Sequence, residues 1–211
     1  MRWLKKAVVF SFIAVLMILI SSCADTDAEG NQKISMTDEQ NVVKEPLTVS
    51  KAEVAEGGFV YRLASEKSVY AEGEKVEVYA ELEYVGDEPE IKIAHAASPF
   101  SFPMKEKTRN FEIDYKMSEP RIVTTLKKGV PLKSRYEGSG GYGSQDPKEY
   151  VDFIKAVHKA SKTGTLPWGN YLVSGLASFE PIYESDETQV NESLHLKAEI
   201  EFIVEKPENK E

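Results

Sequence analysis

Apolar residues recur along most of this chain with a period of two. The clearest run covers 75–85, where Val76, Val78, Ala80, Leu82 and Tyr84 alternate with Glu77, Tyr79, Glu81 and Glu83. One apolar and one charged face predict a strand half buried in a sheet. Turn residues bracket it, Tyr70-Ala71-Glu72-Gly73-Glu74 before and Gly86-Asp87-Glu88-Pro89 after. Phe59, Tyr61 and Leu63 predict a strand ahead of it, and Ile91, Ile93 and His95 one behind. The stretch 100–104 reads as a short edge strand blunted by Pro99 and Pro103, which carry no ladder donor. Phe111, Ile113, Tyr115 and Met117 alternate with Glu112, Asp114 and Lys116, and Ile122, Thr124 and Leu126 continue the pattern after Pro120. A further strand opens at Leu166-Pro167-Trp168 and runs to Phe179. In the last, Leu194, Leu196, Ala198, Ile200, Phe202 and Val204 alternate with His195, Lys197, Glu199 and Glu201. These runs, with hairpin-like spacing, predict a mainly β antiparallel sandwich of seven or eight strands over 58–206.

One segment changes period. After the glycine run Gly138-Ser139-Gly140-Gly141-Tyr142-Gly143, read as a flexible surface loop, Asp146-Pro147-Lys148-Glu149 has the form of a helix start with Asp146 at the N-cap. Tyr150, Phe153, Ile154, Val157 and Ser161 then recur at helical spacing, and Gly164 supplies a C-cap. The pattern predicts one inserted helix at about 147–162, its apolar stripe on the sandwich.

The two ends lack either period. Residues 1–22 carry Arg2, Lys5 and Lys6, then an apolar run from Ala7 to Ile20 broken by Ser11. That run is shorter than the roughly 20 apolar residues of a spanning helix and has the layout of a secretory signal. Residues 23–57 show scattered acidic and amide side chains and too little apolar surface to offset ordering entropy. They read as a flexible acidic tether, with Leu47, Val49 and Val54 leaving room for a short strand near its end. Residues 207–211 read as a disordered tail.

At the end of the apolar run, Ile20-Ser21-Ser22-Cys23 resembles the lipobox of bacterial lipoproteins, an aliphatic residue and two small ones before cysteine. The resemblance implies cleavage before Cys23, a covalent diacylglycerol, and in such proteins palmitate, on the Cys23 thiol, and attachment to the extracytoplasmic face of the cell membrane. Two acyl chains anchor stably where one is marginal. Cys23 is the only cysteine, so the body has no disulfide and no thiol nucleophile.

Gly169-Asn170-Tyr171-Leu172-Val173 resembles the tyrosine corner of immunoglobulin-like sandwiches, with Val173 in place of the cysteine. The resemblance implies that the Tyr171 hydroxyl bonds to backbone just upstream. The run 69–76 followed by a long alternating strand is also similar to bacterial immunoglobulin-like domains, the Bacillus proteinase-inhibitor type among them. Fold alone leaves function open.

Charge narrows the partners. Removing Arg2, Lys5 and Lys6 with the signal takes the formal charge from -9 to -12. An acidic body repels nucleic acid and anionic headgroups, so neither is an expected partner.

Candidate chemistry is sparse. The glycine run lacks the Gly-Lys-Ser/Thr of a phosphate loop, and no Gly-x-Ser-x-Gly elbow occurs. His95, His158 and His195 are the only histidines, with no close pair in sequence; a metal site would need them to converge, with Met104 or Met117 for copper(I). The acidic stretch 180–192 lacks calcium-loop spacing and reads as a solvated loop. Trp168, the one tryptophan after the signal, reads as a cap over the sandwich edge, with a binding anchor as the alternative. The expectation is a non-enzymatic module without metal or soluble cofactor. It would meet an extracytoplasmic protein or a cell-wall component through the loop 136–146, with Tyr142, together with Trp168 and the loop 180–192. A protease inhibitor and a metal or small-solute carrier are the alternatives.

Overall fold

The strands fall into two sheets that close on one core. In the computed structural model, which describes residues 50–183 and 192–206, they are β1 (Lys51–Glu56), β2 (Phe59–Ser65), β3 (Val69–Tyr70), β4 (Val78–Tyr84), β5 (Glu90–His95), β6 (Phe100–Ser101), β7 (Met104–Glu106), β8 (Phe111–Ile113), β9 (Ile122–Lys127), β10 (Leu132–Arg135), β11 (Gly169–Ile182) and β12 (Leu194–Val204), with one helix, α1 (Lys148–Ser161). The smaller sheet has the order β1-β2-β4-β10. The larger runs β3-β12-β11-β5-β9, with β6 and β7 also on β11 and β8 on β7. All pairings are antiparallel except that of β3 with β12. The signal, the lipobox with Cys23, most of the tether, the loop 184–191 and the tail 207–211 lie outside the described residues.

Period-two burial is the organising force. In β4 the buried residues Val78, Ala80, Leu82 and Tyr84 alternate with half-exposed ones, and β11 and β12 repeat the pattern over their length. Across the core Phe59 meets Phe179 with ring centroids 4.8 Å apart, and Tyr61 stacks on Phe100 at 6.2 Å. Aromatic pairs of this kind add to the burial of their area. Burial also pushes the pKa of the Tyr61 hydroxyl well up. At Gly175 of β11 the side chains of the facing sheet leave no room: an added Cβ would stand 2.6 Å from Tyr61 Oη and 2.8 Å from Leu63 Cδ2.

The described residues form twelve strands rather than seven or eight. Part of the surplus comes from β1, which lies inside the stretch assigned to the tether. Its Ala52 and Val54 pack on the core while it pairs along the whole of β2, and a hairpin needs no apolar run of its own when its partner supplies one. Two more strands are β3, with two residues, and β10, with a single apolar residue. β10 is tied to its neighbours by Lys133 to Glu81 at 2.6 Å and Arg135 to Glu77 at 3.1 Å.

The fourth comes from 100–104, which splits in two: β6 pairs with β11 alone and is an edge as expected, whereas Met104 belongs to β7, which has β8 on its other side. β7, β6 and β5 lie end to end along β11, against 171–173, 176–177 and 180–182 in turn. Pro99 and Pro103 mark the breaks between these pieces, and their carbonyls accept N–H groups from Ser178 at 2.8 Å and Ser174 at 3.0 Å. Each proline thus joins the ladder to β11 through its acceptor alone.

Other differences are local. The strand expected over 75–85 begins at Val78, because the Val76 N–H is drawn instead to the Gly164 carbonyl at 2.8 Å. The helix keeps its stripe of Phe153, Ile154 and Val157 toward the core, but its cap is Pro147 with no side-chain bond. The Asp146 carboxylate turns back to accept the Gly143 N–H at 2.6 Å, closing the preceding turn rather than the helix. Gly164, at φ +74, ends the helix as expected, with the Thr165 N–H on the Ala160 carbonyl at 3.1 Å.

Gly175→Ala tests the close approach of the sheets. Overpacking against Tyr61 and Leu63 should cost about 1–3 kcal/mol in chemical denaturation, whereas Gly143→Ala, where an added Cβ would meet nothing nearer than Asp146 Oδ2 at 3.8 Å, should cost less.

Candidate interaction surface

Glu106 is the one fully buried carboxylate among the described residues. It ends β7, where the alternation Phe102, Met104, Glu106 points it inward. Its oxygens accept N–H bonds from Thr108 and Arg109, both at 2.8 Å, and from Asn170 at 3.3 Å, and it pairs with the Arg109 guanidinium at 3.1 Å. Burial would raise its pKa, but the bonds from the Thr108 side chain, the Arg109 and Thr108 backbone and the Arg109 side chain outweigh it and hold the carboxyl below its usual value. Gly169 makes room for this: an added Cβ would fall 2.9 Å from the Glu106 carboxyl carbon.

Arg109 carries the arrangement outward. Its guanidinium donates to the Trp168 carbonyl at 2.9 Å, lies 3.9 Å over the Trp168 ring and reaches 5.4 Å from the Phe153 ring. Lys206 Nζ stands 5.4 Å from the same tryptophan. Trp168 is therefore half-buried with two cations on its ring, the geometry of a cap held by cation–π contacts. Next in chain, the Tyr171 hydroxyl donates to the Pro167 carbonyl at 2.7 Å, the upstream bond its motif implies. Burial pushes the pKa of that hydroxyl strongly up. Val173 is fully buried beside it.

On the other side of Phe153 the helix holds the glycine run. The Gly140 N–H donates to the Asp114 carbonyl at 2.8 Å, His158 Nε2 bonds the Gly140 carbonyl at 3.1 Å, and the Tyr150 hydroxyl reaches the carbonyls of Glu112 at 3.0 Å and Gly141 at 3.1 Å. The run, expected to be flexible, is a strap pinned between β8 and α1. Its glycines answer to that: Gly140, at φ +104, has Ile113 and Ile154 carbons 3.3 Å from where a Cβ would stand.

Between strap and β8 lies an open groove of about 610 Å³, lined among others by Asn110, Phe111, Asp114, Tyr142, Asp146 and Tyr150. Tyr142 is 46% exposed at its rim, with Lys155 Nζ 5.6 Å from its ring and His158 6.3 Å away. Phe111 forms the wall, edge-on to Tyr150 at 5.5 Å and against Phe153 at 5.4 Å. Tyr142 and Trp168 do not touch, but the groove, Phe111, Phe153 and Arg109 join them in one continuous row.

The histidines stay apart. His95 bonds Ala96 O at 2.7 Å and Thr124 Oγ1 at 2.8 Å, His158 holds the strap, and His195 meets Ser178 Oγ at 3.0 Å across β11 and β12 on an exposed sheet face. Met104 is buried in β7. Of the acidic stretch 180–192, Glu180 is held by Arg121 at 3.1 Å, and 184–191 lies outside the described residues. Sequence reasoning did not single out Glu106 or Arg109. The available signal was the parity of Glu106 with Phe102 and Met104.

Glu106→Gln tests the network. A carboxyl with a depressed folded-state pKa contributes stability above its unfolded-state value, and that contribution is lost as pH falls through the folded one. The variant should be about 1–3 kcal/mol less stable at neutral pH. In thermal melts taken from neutral to acidic pH, its difference from wild type should shrink below about pH 4.

Comparison of the chain with family models, with curated protein sequences and with solved structures finds no match.

Proposed function

We propose that the protein is a bacterial lipoprotein, held on the extracytoplasmic face of the membrane by a diacylglycerol on Cys23, whose β domain is an immunoglobulin-like, non-enzymatic interaction module for an extracytoplasmic protein or a cell-wall component. The anchor rests on Ile20, Ser21, Ser22 and Cys23 at the end of the apolar run.

The immunoglobulin-like reading is supported by strand order. β2-β4-β10 follows the order A-B-E and β12-β11-β5-β9 the order G-F-C-C′ of such sandwiches. In that correspondence β11 is strand F, α1 occupies the E–F connection, and Tyr171 stands near the start of F with its hydroxyl on upstream backbone. β1, β3, β6, β7 and β8 are additions to the scheme.

The observation that carries the binding role is the Tyr142 groove. An aromatic ring exposed at the rim of a groove whose backbone is already tied by the Gly140, Gly141 and His158 bonds can meet a partner without first being ordered. Trp168, with Arg109 and Lys206 on its ring, serves this surface as a support.

Two outcomes are expected in cells. Cys23→Ala should abolish incorporation of labelled palmitate and leave the unprocessed precursor, with wild type found in the membrane fraction as the mature form. Tyr142→Ala should reduce partner recovery in a crosslinking pull-down from intact cells by about tenfold or more, the loss typical of an interface hot spot. Unchanged recovery with Tyr142→Ala would contradict the binding role, and palmitate retained on Cys23→Ala would contradict the anchor.

A further inference from the structure

The edges of the two sheets are not alike. β3 has two residues and β8 three, and the Glu112 and Asp114 carbonyls on and beside β8 are already taken by the Tyr150 hydroxyl and the Gly140 N–H. β10 has four residues, two of them cations in ion pairs with Glu81 and Glu77. β1 has six, three of them the charged Lys51, Glu53 and Glu56. Short length, charge and covering are the usual ways a fold blunts an edge.

β9 is blunted least, with Lys127 as its one charged residue. It offers six residues, Ile122-Val123-Thr124-Thr125-Leu126-Lys127, four of them β-branched and none Gly, Pro, Asp or Glu. Ile122 is 39% exposed and Val123 53%. It pairs with β5 on one side only.

The register shows which backbone groups are free. Glu90 stands opposite Lys127, so Pro89 stands opposite Lys128, and the Lys128 N–H donates to the Pro89 carbonyl at 2.9 Å. Bonded and non-bonded pairs alternate along an antiparallel ladder. Ile122, Thr124 and Leu126 therefore turn their backbone groups toward β5, while Val123, Thr125 and Lys127 turn theirs away from the sheet. The Lys127 carbonyl is used by the Val130 N–H at 3.0 Å. Among the described residues nothing bonds the backbone of Val123 or Thr125 on that side.

We propose that the free edge of β9 receives an extended acidic segment of a partner protein as an added strand, through the backbone groups of Val123 and Thr125. Charge selects the occupant: Lys127 and Lys128, both exposed, close β9, while Arg121 at its other end is already paired with Glu180 at 3.1 Å. In a symmetric antiparallel pair with a second copy, Lys127 and Lys128 of each chain would lie near Arg121 of the other, so like charges would oppose that pairing. Main-chain bonds give such a complex affinity, and the apolar Ile122 and Val123 give it register. This edge is separate from the Tyr142 groove.

The probe is a labelled heptapeptide alternating valine and threonine with glutamate at both ends, titrated against the full-length chain in detergent and read by fluorescence anisotropy. Saturable binding is expected, with slowed amide exchange at Val123 and Thr125. The same peptide with lysine ends should bind about tenfold more weakly or worse. Val123→Pro removes one outward N–H and no ladder bond to β5, so it should keep the melting temperature and lose about tenfold in affinity. Val123→Glu, which keeps the N–H and places a like charge against the peptide, should lose a similar factor and serves if the proline variant melts early. Tyr142→Ala should leave peptide binding unchanged. No binding, equal binding of the lysine-ended peptide, or unchanged affinity in both Val123 variants would overturn the proposal. So would a concentration-dependent dimer abolished by Val123→Pro, which would assign the edge to a second copy.

Discussion

The buried carboxylate of Glu106 joins two segments that are far apart in sequence. It holds the turn after β7 through the N–H groups of Thr108 and Arg109, it holds the first residues of β11 through Asn170, and its charge is met by the Arg109 guanidinium. A charge taken out of water is tolerated only with bonds of this kind around it, and here they suffice to keep the carboxyl ionised below its usual range. Arg109, fixed at one end by Glu106, extends over Trp168 and reaches Phe153, so the same network touches α1, which Ile154 and Val157 seat in the core. α1 in turn holds the strap and with it the rim of the groove. Surface and core are thus one mechanical system, with the entrance of β11 at its centre.

That arrangement explains why so many glycines gather in the strap without making it a loose loop. Backbone has to pass between β8 and α1, and at Gly140 the positive φ of +104 disfavours any side chain, whose Cβ would also stand only 3.3 Å from Ile113 and Ile154 carbons. The conformational entropy such a run loses on folding is offset by the hydrogen bond from the Gly140 N–H to the Asp114 carbonyl and by those that Tyr150 and His158 make to the strap carbonyls. What remains exposed is the Tyr142 ring, presented on backbone that is already tied. A partner that docks there would meet a formed surface.

How much of this could be read from the residues depends on where the determining information lies. β12 was legible to the residue, 194–204, because six apolar residues alternate with charged ones over its whole length. The helix stripe and the Tyr171 bond were legible because periodicity and a local motif encode them within a few positions. β10 was not, since its stability comes from ion pairs and ladder bonds to β4, about fifty residues earlier in the chain. Pro99 and Pro103 suggested an edge because the lost donor is visible in the sequence, while the use of their carbonyls by β11 is not. Asp146 has the residue type of a helix cap, yet the Gly143 N–H competes for the same oxygen and wins. Glu106 shows the limit most clearly: its parity with Met104 indicates burial, but the partners that make burial tolerable come from Arg109 and Asn170.

The central claim is that the face bearing Tyr142 is where the domain meets its partner outside the membrane. Site-specific photocrosslinking in intact cells addresses it directly, with a benzophenone amino acid at position 142 and, as reference, at position 79 on the outer face of the smaller sheet. The account predicts a discrete crosslinked species from position 142 and none from position 79. Equal adducts at both positions, or none at position 142 with the protein folded and processed, would contradict it.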